Sequence, residues 1–310
     1  MGRIGERFAR RRAEGKPAFV AFLTAGDPSL EATVAAAVAL DRAGVDVLEL
    51  GVPFSDPLAD GPVIQRASER ALARGVTLPK VLEMVRRIRE RSELPLLLFS
   101  YYNPLLQHGL ERLAREGKGA GLDGVLVTDL PPEEAGQWIA TARAVDLDTV
   151  FLASPTSPPE RLKRVAEASR GFVYAISRTG VTGERQALSD DARPLVERLR
   201  ALTTVPVALG FGLSTPEQVK EAAAMADGVV VGSALVRFLE EHPEGDLGAR
   251  VRWLTSTTYA GSPSVHQTCR RRRRGRRRRT GHPRATQRPP NAARPRWTTC
   301  AAASTRSTTS

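Results

Sequence analysis

AFVAFLTAGDPSLEATVAAAVALDRAGVDVLELGV, residues 18–52, decides the fold. It holds two near-continuous apolar runs, Ala18 to Thr24 and Val45 to Val52, of the kind a strand shows when both faces of a parallel sheet are covered. Between them, Ser29 to Ala43 carries apolar side chains three and four apart. It opens beside Pro and Ser, which supply a preset φ and a side-chain acceptor at the unsatisfied amides of a helix start. Strand, helix, strand make one parallel crossover unit. A doubly wound open sheet normally places G-x-G-x-x-G after its first strand. Here that strand runs into TAGDP, which turns the reading toward a closed barrel.

Working outward, the pattern repeats. Further apolar runs occupy Leu94 to Tyr101, Asp123 to Leu130, Asp148 to Ser154, Gly171 to Ser177, Val205 to Gly212 and Asp227 to Ala234. Helix-type periodicity fills Leu78 to Arg91, Pro104 to Glu116, Glu133 to Ala144, Pro159 to Ala168, Asp191 to Leu202 and Pro216 to Ala226. Eight strands alternating with helices over about 250 residues predict an α/β fold, a (β/α)8 TIM barrel. The barrel is expected over residues 1–254, with an extra helix ahead of the first strand.

Residues 255–310 are different material. They carry 14 Arg, including Arg270 to Arg274 and Arg276 to Arg279, with no Lys and no acid. The net charge of +12 therefore comes from this tail, and residues 1–254 hold 32 of the 46 basic side chains against all 34 acidic ones. With so few aliphatic side chains the tail cannot offset its ordering entropy, and it is expected to be disordered. An Arg run of this kind can bind nucleic-acid phosphates without sequence preference, but no aromatic residues interleave with it. Nucleic acid is thus an unfavoured partner. Both cysteines, Cys269 and Cys300, also lie in the tail, so the body has no thiol for a disulfide, a thiolate metal site or a nucleophile. No run approaches the roughly 18 apolar residues of a membrane span, and the N-terminus has no signal-like apolar stretch. The expectation is a cytoplasmic protein with no membrane partner.

In a barrel of this type the reacting groups sit at the C-terminal strand ends and in the loops that follow. The second strand ends in ELGVPFSDPLADGP, residues 49–62. Glu49 stands there between Leu48 and Leu50, and a carboxyl desolvated among leucines has its pKa raised toward the range of acid/base work. Position alone leaves a second reading, a structural carboxylate paired with an amide or a base. Asp56 precedes Pro and Asp60 precedes Gly, which is also ordinary turn chemistry.

Three glycine-bearing segments follow the last three strands: SRTGVTGE (177–184), GFGLST (210–215) and VGSA (231–234). The second and third lead into helices, whose exposed amides and dipole favour an anion, so the set reads as a phosphate cradle. Phe22, Phe54, Tyr101, Tyr102, Tyr174 and Phe211 cluster at the same barrel end, suiting a flat apolar group. The histidines, His108, His242, His266 and His282, form no ligand-type pair, and no lysine falls in a predicted strand. Zinc, a His-based triad and a Schiff base are therefore poorly supplied. Carboxylates remain.

The strings AFLTAGDP, ELGVPFSDPLADGPVIQRA, YYNPLLQHG, LVTDLPPEE, SRTGVTGE, GFGLS and VGSALV, in this order, closely resemble the tryptophan synthase alpha subunit family over residues 1–254. The resemblance implies a lyase that splits indole-3-glycerol phosphate into indole and glyceraldehyde 3-phosphate by a retro-aldol step. It implies Glu49 as the acid/base carboxylate and Asp60 as the contact to the indole N–H. Phosphate contacts are implied at Gly183, Phe211, Gly212, Gly232 and Ser233, and substrate contacts at Phe22, Tyr102, Tyr174 and Thr182. The GVTG loop is implied to close over substrate, with Thr182 touching Asp60. No metal and no cofactor are implied in this chain; pyridoxal phosphate belongs to a partner beta subunit, met through Pro53 to Asp60 and the segment around Asn103 and Pro104 in an alpha-beta-beta-alpha heterotetramer. Two departures accompany the resemblance. Ser100 and Thr128 are small and polar where the family often has apolar residues or proline. The last amphipathic helix keeps only a start, Asp246 to Leu254, and is expected to be short or poorly packed. The competing functions are another phosphate-binding barrel isomerase or synthase, nucleic-acid binding through the tail, and a non-catalytic activator of the beta subunit.

Overall fold

A computed structural model of the chain describes residues 2–176, 191–210 and 212–258. All of them fall within one compact unit. The strands are β1 (Ala18–Thr24), β2 (Val47–Gly51), β3 (Leu96–Ser100), β4 (Gly124–Val127), β5 (Asp148–Val150), β6 (Leu152–Ala153), β7 (Val173–Ile176), β8 (Val207–Gly210) and β9 (Gly228–Val231). They pair in parallel in the order β5-β4-β3-β2-β1-β9-β8-β7-β6. The two ends of that order, β5 and β6, are separated by Phe151 alone. Its carbonyl accepts from Tyr174 N–H at 3.1 Å, and the Thr149 carbonyl accepts from Arg170 N–H at 2.8 Å. The fifth apolar run is thus one interrupted strand with β4 on one side and β7 on the other. The sheet closes into the expected eight-stranded α/β barrel.

Alternation along each strand sends side chains to two cores. Val20, Phe22, Val47, Leu97, Phe99, Leu126, Val150, Tyr174, Ala208 and Val230 fill the barrel. Ala21, Leu23, Leu48, Leu50, Leu96 and Leu98 pack outward against the helices. Both faces are covered, which is why the runs lack polar alternation. The extra N-terminal helix, Arg3–Ala13, closes the N-terminal end by burying Ile4 and Phe8, and Phe8 stacks on Phe172 with centroids 5.4 Å apart. Aspartates at strand starts tie this floor together. Asp46 accepts from Arg11 at 2.7 and 2.8 Å and from Phe19 N–H at 2.9 Å. Asp123 takes Arg3 and Arg89 together with Leu96 N–H.

Two elements differ from expectation, and a third meets it in length while being well packed. The periodicity over Pro104 to Glu116 is two helices, Tyr102–His108 and Leu110–Ala120. Gly109 breaks them apart with φ 91°, in the left-handed region that glycine enters without a Cβ clash. A helix over Pro62–Ala73, absent from the sequence reading, follows directly on the ADG turn, with Pro62 in its first turn and Val63, Ile64, Ala67 and Ala71 buried. Pro is harmless there because the first amides of a helix have no intrahelical acceptor, so a Pro-Gly cluster that looks like loop is a helix start. The final helix, Leu247–Leu254, is short but packed: Asp246 caps it by accepting Ala249 N–H at 2.9 Å, and Leu247, Val251 and Leu254 are buried.

Candidate active site

The register of β2 settles which way its carboxylate points. Val47 belongs to the inner core while Leu48 and Leu50 belong to the outer one, so Glu49 faces the barrel interior, paired in register with Phe22 on β1 and Leu97 on β3. The flanking leucines lie on the opposite face and do not desolvate it. The inner layer does. Glu49 is 1% exposed, Oε1 has no hydrogen-bond partner, and burial pushes its pKa up to about 8. Among the described residues no cation compensates it, so the neutral acid is the favoured form at pH 7. Tyr174 on β7 is the inward neighbour whose phenol is held well above its ordinary value, by burial first and by the charge of Glu49 second.

Asp60 lies in the loop that follows β2. It is 5% exposed, and burial raises its pKa to about 6 against the lowering effect of a hydrogen bond from Tyr101. Its backbone is pinned by Asp60 N–H to the Pro57 carbonyl at 3.0 Å and by Gln65 Nε2 to its own carbonyl at 2.8 Å. Asp56, by contrast, is exposed and accepts from the neighbouring Ser55 hydroxyl, as a turn former does. The two aspartates that the sequence treats alike are separated by burial.

Phe22 is buried in the inner core, with its ring edge-on to Phe99 at 5.2 Å. Two glycines make room for these aromatics: a Cβ at Gly51 would strike the Phe22 ring, and one at Gly210 would strike the Tyr174 hydroxyl. Tyr102 is partly buried at the start of helix Tyr102–His108 and packs on the outer layer, its N–H donating to Asp129 Oδ1 at 2.6 Å. A cavity of about 260 Å³ opens at the C-terminal ends of β4 and β6, lined by Thr128, Phe151, Leu152 and Ile176 among others.

The helix termini at the glycine segments are not equivalent. Gly232 precedes helix Ser233–Glu241 with no side-chain cap, and its Cβ position is only 3.3 Å from Phe22 Cβ. Leu235 N–H already donates to the Gly232 carbonyl at 2.8 Å, which leaves the amides of Ser233 and Ala234 at that start to meet an anion. At GFGLST the helix Pro216–Ala223 is already closed by a capping box between Thr215 and Gln218, and Gln218 Oε1 also accepts Ser214 N–H at 2.8 Å. The Ser214, Thr215 and Gln218 amides at that helix end are therefore already engaged. What remains there is Gly212, at φ 90°, whose turn only glycine adopts without strain. Thr182, Gly183 and Phe211 lie outside the described residues. Sequence reasoning set Tyr101 among the pocket aromatics and missed its hold on Asp60; the signal was its polar tip one strand away from a buried carboxylate.

The family model described as tryptophan synthase alpha chain matches residues 8–258. The chain belongs to the tryptophan synthase alpha chain family. It is 52% identical over 256 residues to the tryptophan synthase alpha chain of Geobacter sulfurreducens, covering 83% of this chain and 97% of that one. With the tryptophan synthase alpha chain of Solibacter usitatus it shares 54% over 244 residues, covering 79% and 91%. Among solved structures, tryptophan synthase of Mycobacterium tuberculosis superposes with a TM-score of 0.78 at 42% identity, over 83% of this chain and 98% of that one. The matched region takes in β1 to β9 and the C-terminal helix Leu247–Leu254. Among the described residues, no helix is long and apolar enough to cross a membrane.

Proposed function

We propose that Glu49 and Asp60 are the reacting pair for the cleavage of indole-3-glycerol phosphate to indole and glyceraldehyde 3-phosphate, the lyase reaction of the tryptophan synthase alpha chain family. The observation that carries this is the neutral, buried carboxyl of Glu49, facing into the barrel with one oxygen unpartnered. Neutral Glu49 gives its proton to C3 of the indole ring. The carboxylate so formed takes the proton of the glycerol hydroxyl next to the breaking carbon–carbon bond, releasing the aldehyde and restoring the acid. Asp60, with the lower pKa, stays ionised and accepts the indole N–H, offsetting the positive charge on the ring while C3 carries the extra proton. Two carboxyls with pKa values set apart by their surroundings divide the roles of acid and anion.

Phe22, Tyr102, Tyr174 and Thr182 serve the indole and glycerol parts of the substrate. Gly183, Phe211, Gly212, Gly232 and Ser233 serve the phosphate, and the uncapped start of helix Ser233–Glu241 supports that assignment. The partner is the beta subunit of an alpha-beta-beta-alpha heterotetramer, which holds the pyridoxal phosphate; this chain's step uses none. Leu58, 85% exposed in the loop before Asp60, and Leu106, 51% exposed in helix Tyr102–His108, support docking through those two segments, since large exposed apolar side chains are typical of an interface. The reading places the protein in the cytoplasm with tryptophan biosynthesis and gives the lyase activity to residues 1–254, the tail 255–310 taking no part.

The test is indole release from indole-3-glycerol phosphate by the purified chain, with and without a beta subunit, beside Glu49→Gln. Release that rises with the beta subunit and falls by about four orders of magnitude in a folded Glu49→Gln variant is the expected result. Substantial turnover in that variant would end the role given to Glu49.

A further inference from the structure

Tyr101 follows the last residue of β3 and precedes helix Tyr102–His108 in extended backbone. Its ring is 4% exposed and lies beside Phe54, with centroids 5.1 Å apart. Its hydroxyl reaches across to the loop after β2 and makes two bonds there. Ala59 N–H donates to Oη at 3.0 Å, and Oη lies 3.0 Å from Asp60 Oδ2. A backbone N–H can only donate, so the single phenol proton is left for the carboxylate. The direction of both bonds is fixed by that count. Loop residues 53–60 are otherwise held through their backbone, Leu58 N–H to the Asp56 carbonyl at 2.9 Å and Asp60 N–H to the Pro57 carbonyl at 3.0 Å, with Gln65 Nε2 on the Asp60 carbonyl at 2.8 Å. None of these bonds touches the Asp60 side chain.

We propose that Tyr101 is a positioning residue of the lyase: its phenol holds the Asp60 carboxylate in one orientation as an anion and locks the end of the loop through Ala59. The proposal rests on the role given to Asp60 above. A carboxylate that must balance a transient cation has to be both ionised and fixed before the charge develops. Burial works against ionisation at Asp60, and among the described residues no cation lies within ion-pair distance; the Tyr101 hydrogen bond is the group that opposes burial. The charges acting on the pair from other elements are those of Asp129, after β4, which acts on Tyr101. Within the loop, Asp56 is exposed and engaged by Ser55. Glu49 faces Tyr174. A phenol is suited to this task because it gives a strong hydrogen bond to an anion while staying neutral itself: the neighbouring Asp60 charge and burial both push its own pKa up.

The decisive variant is Tyr101→Phe, which keeps the ring against Phe54 and removes only the hydroxyl. The acid limb of kcat/KM, near pH 6 in the native chain, should move up by about one unit, so that indole release at the acid limb falls roughly tenfold more than on the plateau. The 13C carboxyl shift of Asp60, titrated without substrate, should move with it. A loss equal at every pH, with the Asp60 titration unmoved, would mean that Tyr101 only supports the loop and would overturn the proposal. Should Tyr101→Phe fail to fold, 3-fluorotyrosine at position 101 gives a stronger donor with the same contacts, and the acid limb should then move down; an unmoved limb overturns the proposal equally. Full activity in Asp60→Asn would instead overturn the reading of Asp60 on which this rests.

Discussion

At Glu49 and Asp60, two carboxyls of similar ordinary strength end with different pKa values because one is fully buried, with Oε1 unpartnered among the described residues, and the other has a phenol. If the proposed roles hold, with Glu49 reacting protonated and Asp60 ionised, kcat/KM against pH should be bell-shaped, with limbs near 6 and 8 from the free protein's Asp60 and Glu49. A profile flat across that range would remove both assignments. Glu49 also has a thermodynamic signature. In the unfolded chain it ionises near 4.5 and in the folded chain near 8. Its contribution to stability is therefore complete below 4.5 and is lost as pH rises toward 8. Glu49→Gln escapes that loss and should melt about 5 °C above the native chain on the alkaline side, with the gap closing toward acid. Melting curves at several pH values check the trend, and an activity-null variant that is more stable than its parent is the expected outcome.

Among the elements, the strand ends show how little space the inner layer leaves. Gly210 ends β8 where a side chain would meet the Tyr174 hydroxyl. Gly210→Ala should displace Tyr174 toward Glu49 and destabilise the barrel by about 2 kcal/mol, with kcat/KM falling together with stability. A neutral outcome in denaturant unfolding and in indole release would show that the ring has room to retreat. The same comparison separates the two glycine segments. Helix Pro216–Ala223 has a side-chain cap on its first turn, and helix Ser233–Glu241 has none. Sequence alone makes both look like anion sites, because Ser and Thr at a helix start signal a cap without saying whether the cap is made.

Across the whole molecule, a line of charge joins the loop after β1 to two helices. Asp27, in the loop after β1, takes both arms of Arg70 at 2.8 and 2.7 Å. Arg70 also reaches Glu240 at 2.8 Å, and Arg66 grips Glu240 at 2.9 and 2.7 Å. Helix Pro62–Ala73, which begins just after Asp60, is thereby fastened to helix Ser233–Glu241, whose other end carries Gly232 and Ser233, the residues proposed for the phosphate. Arg70→Ala would strand the buried carboxylate of Asp27 and should cost about 3 kcal/mol in denaturant unfolding. Weaker substrate binding should accompany it, as the two halves of the site lose register. The two arginines hold Glu240 down at about 2. A depressed carboxylate stabilises above its unfolded pKa, so this share of stability is present above 4.5 and is lost as pH falls toward 2. Acid unfolding of Arg70→Ala should therefore be shallower than that of the native chain, and an unchanged acid transition would show that the network is solvent-screened.

The barrel was legible from residues 18–52 onward, because a strand covered on both faces and a helix covered on one leave different periods in the chain. The roles proposed for Glu49 and Asp60 come from their motifs, not from their neighbours in sequence: Leu48 and Leu50 point away from Glu49, and only the strand register shows what surrounds it. Local sequence could not separate a helix start from a turn at Pro62, nor place a break at Gly109, since both depend on which backbone amides find tertiary partners. The split of the fifth strand at Phe151, the phenol of Tyr101 on Asp60 and the Asp27–Arg70–Glu240 line each join residues tens of positions apart. Period and composition are set by the order of residues along the chain. Pairing across it exists only once the barrel has closed and fixed which strand ends face one another.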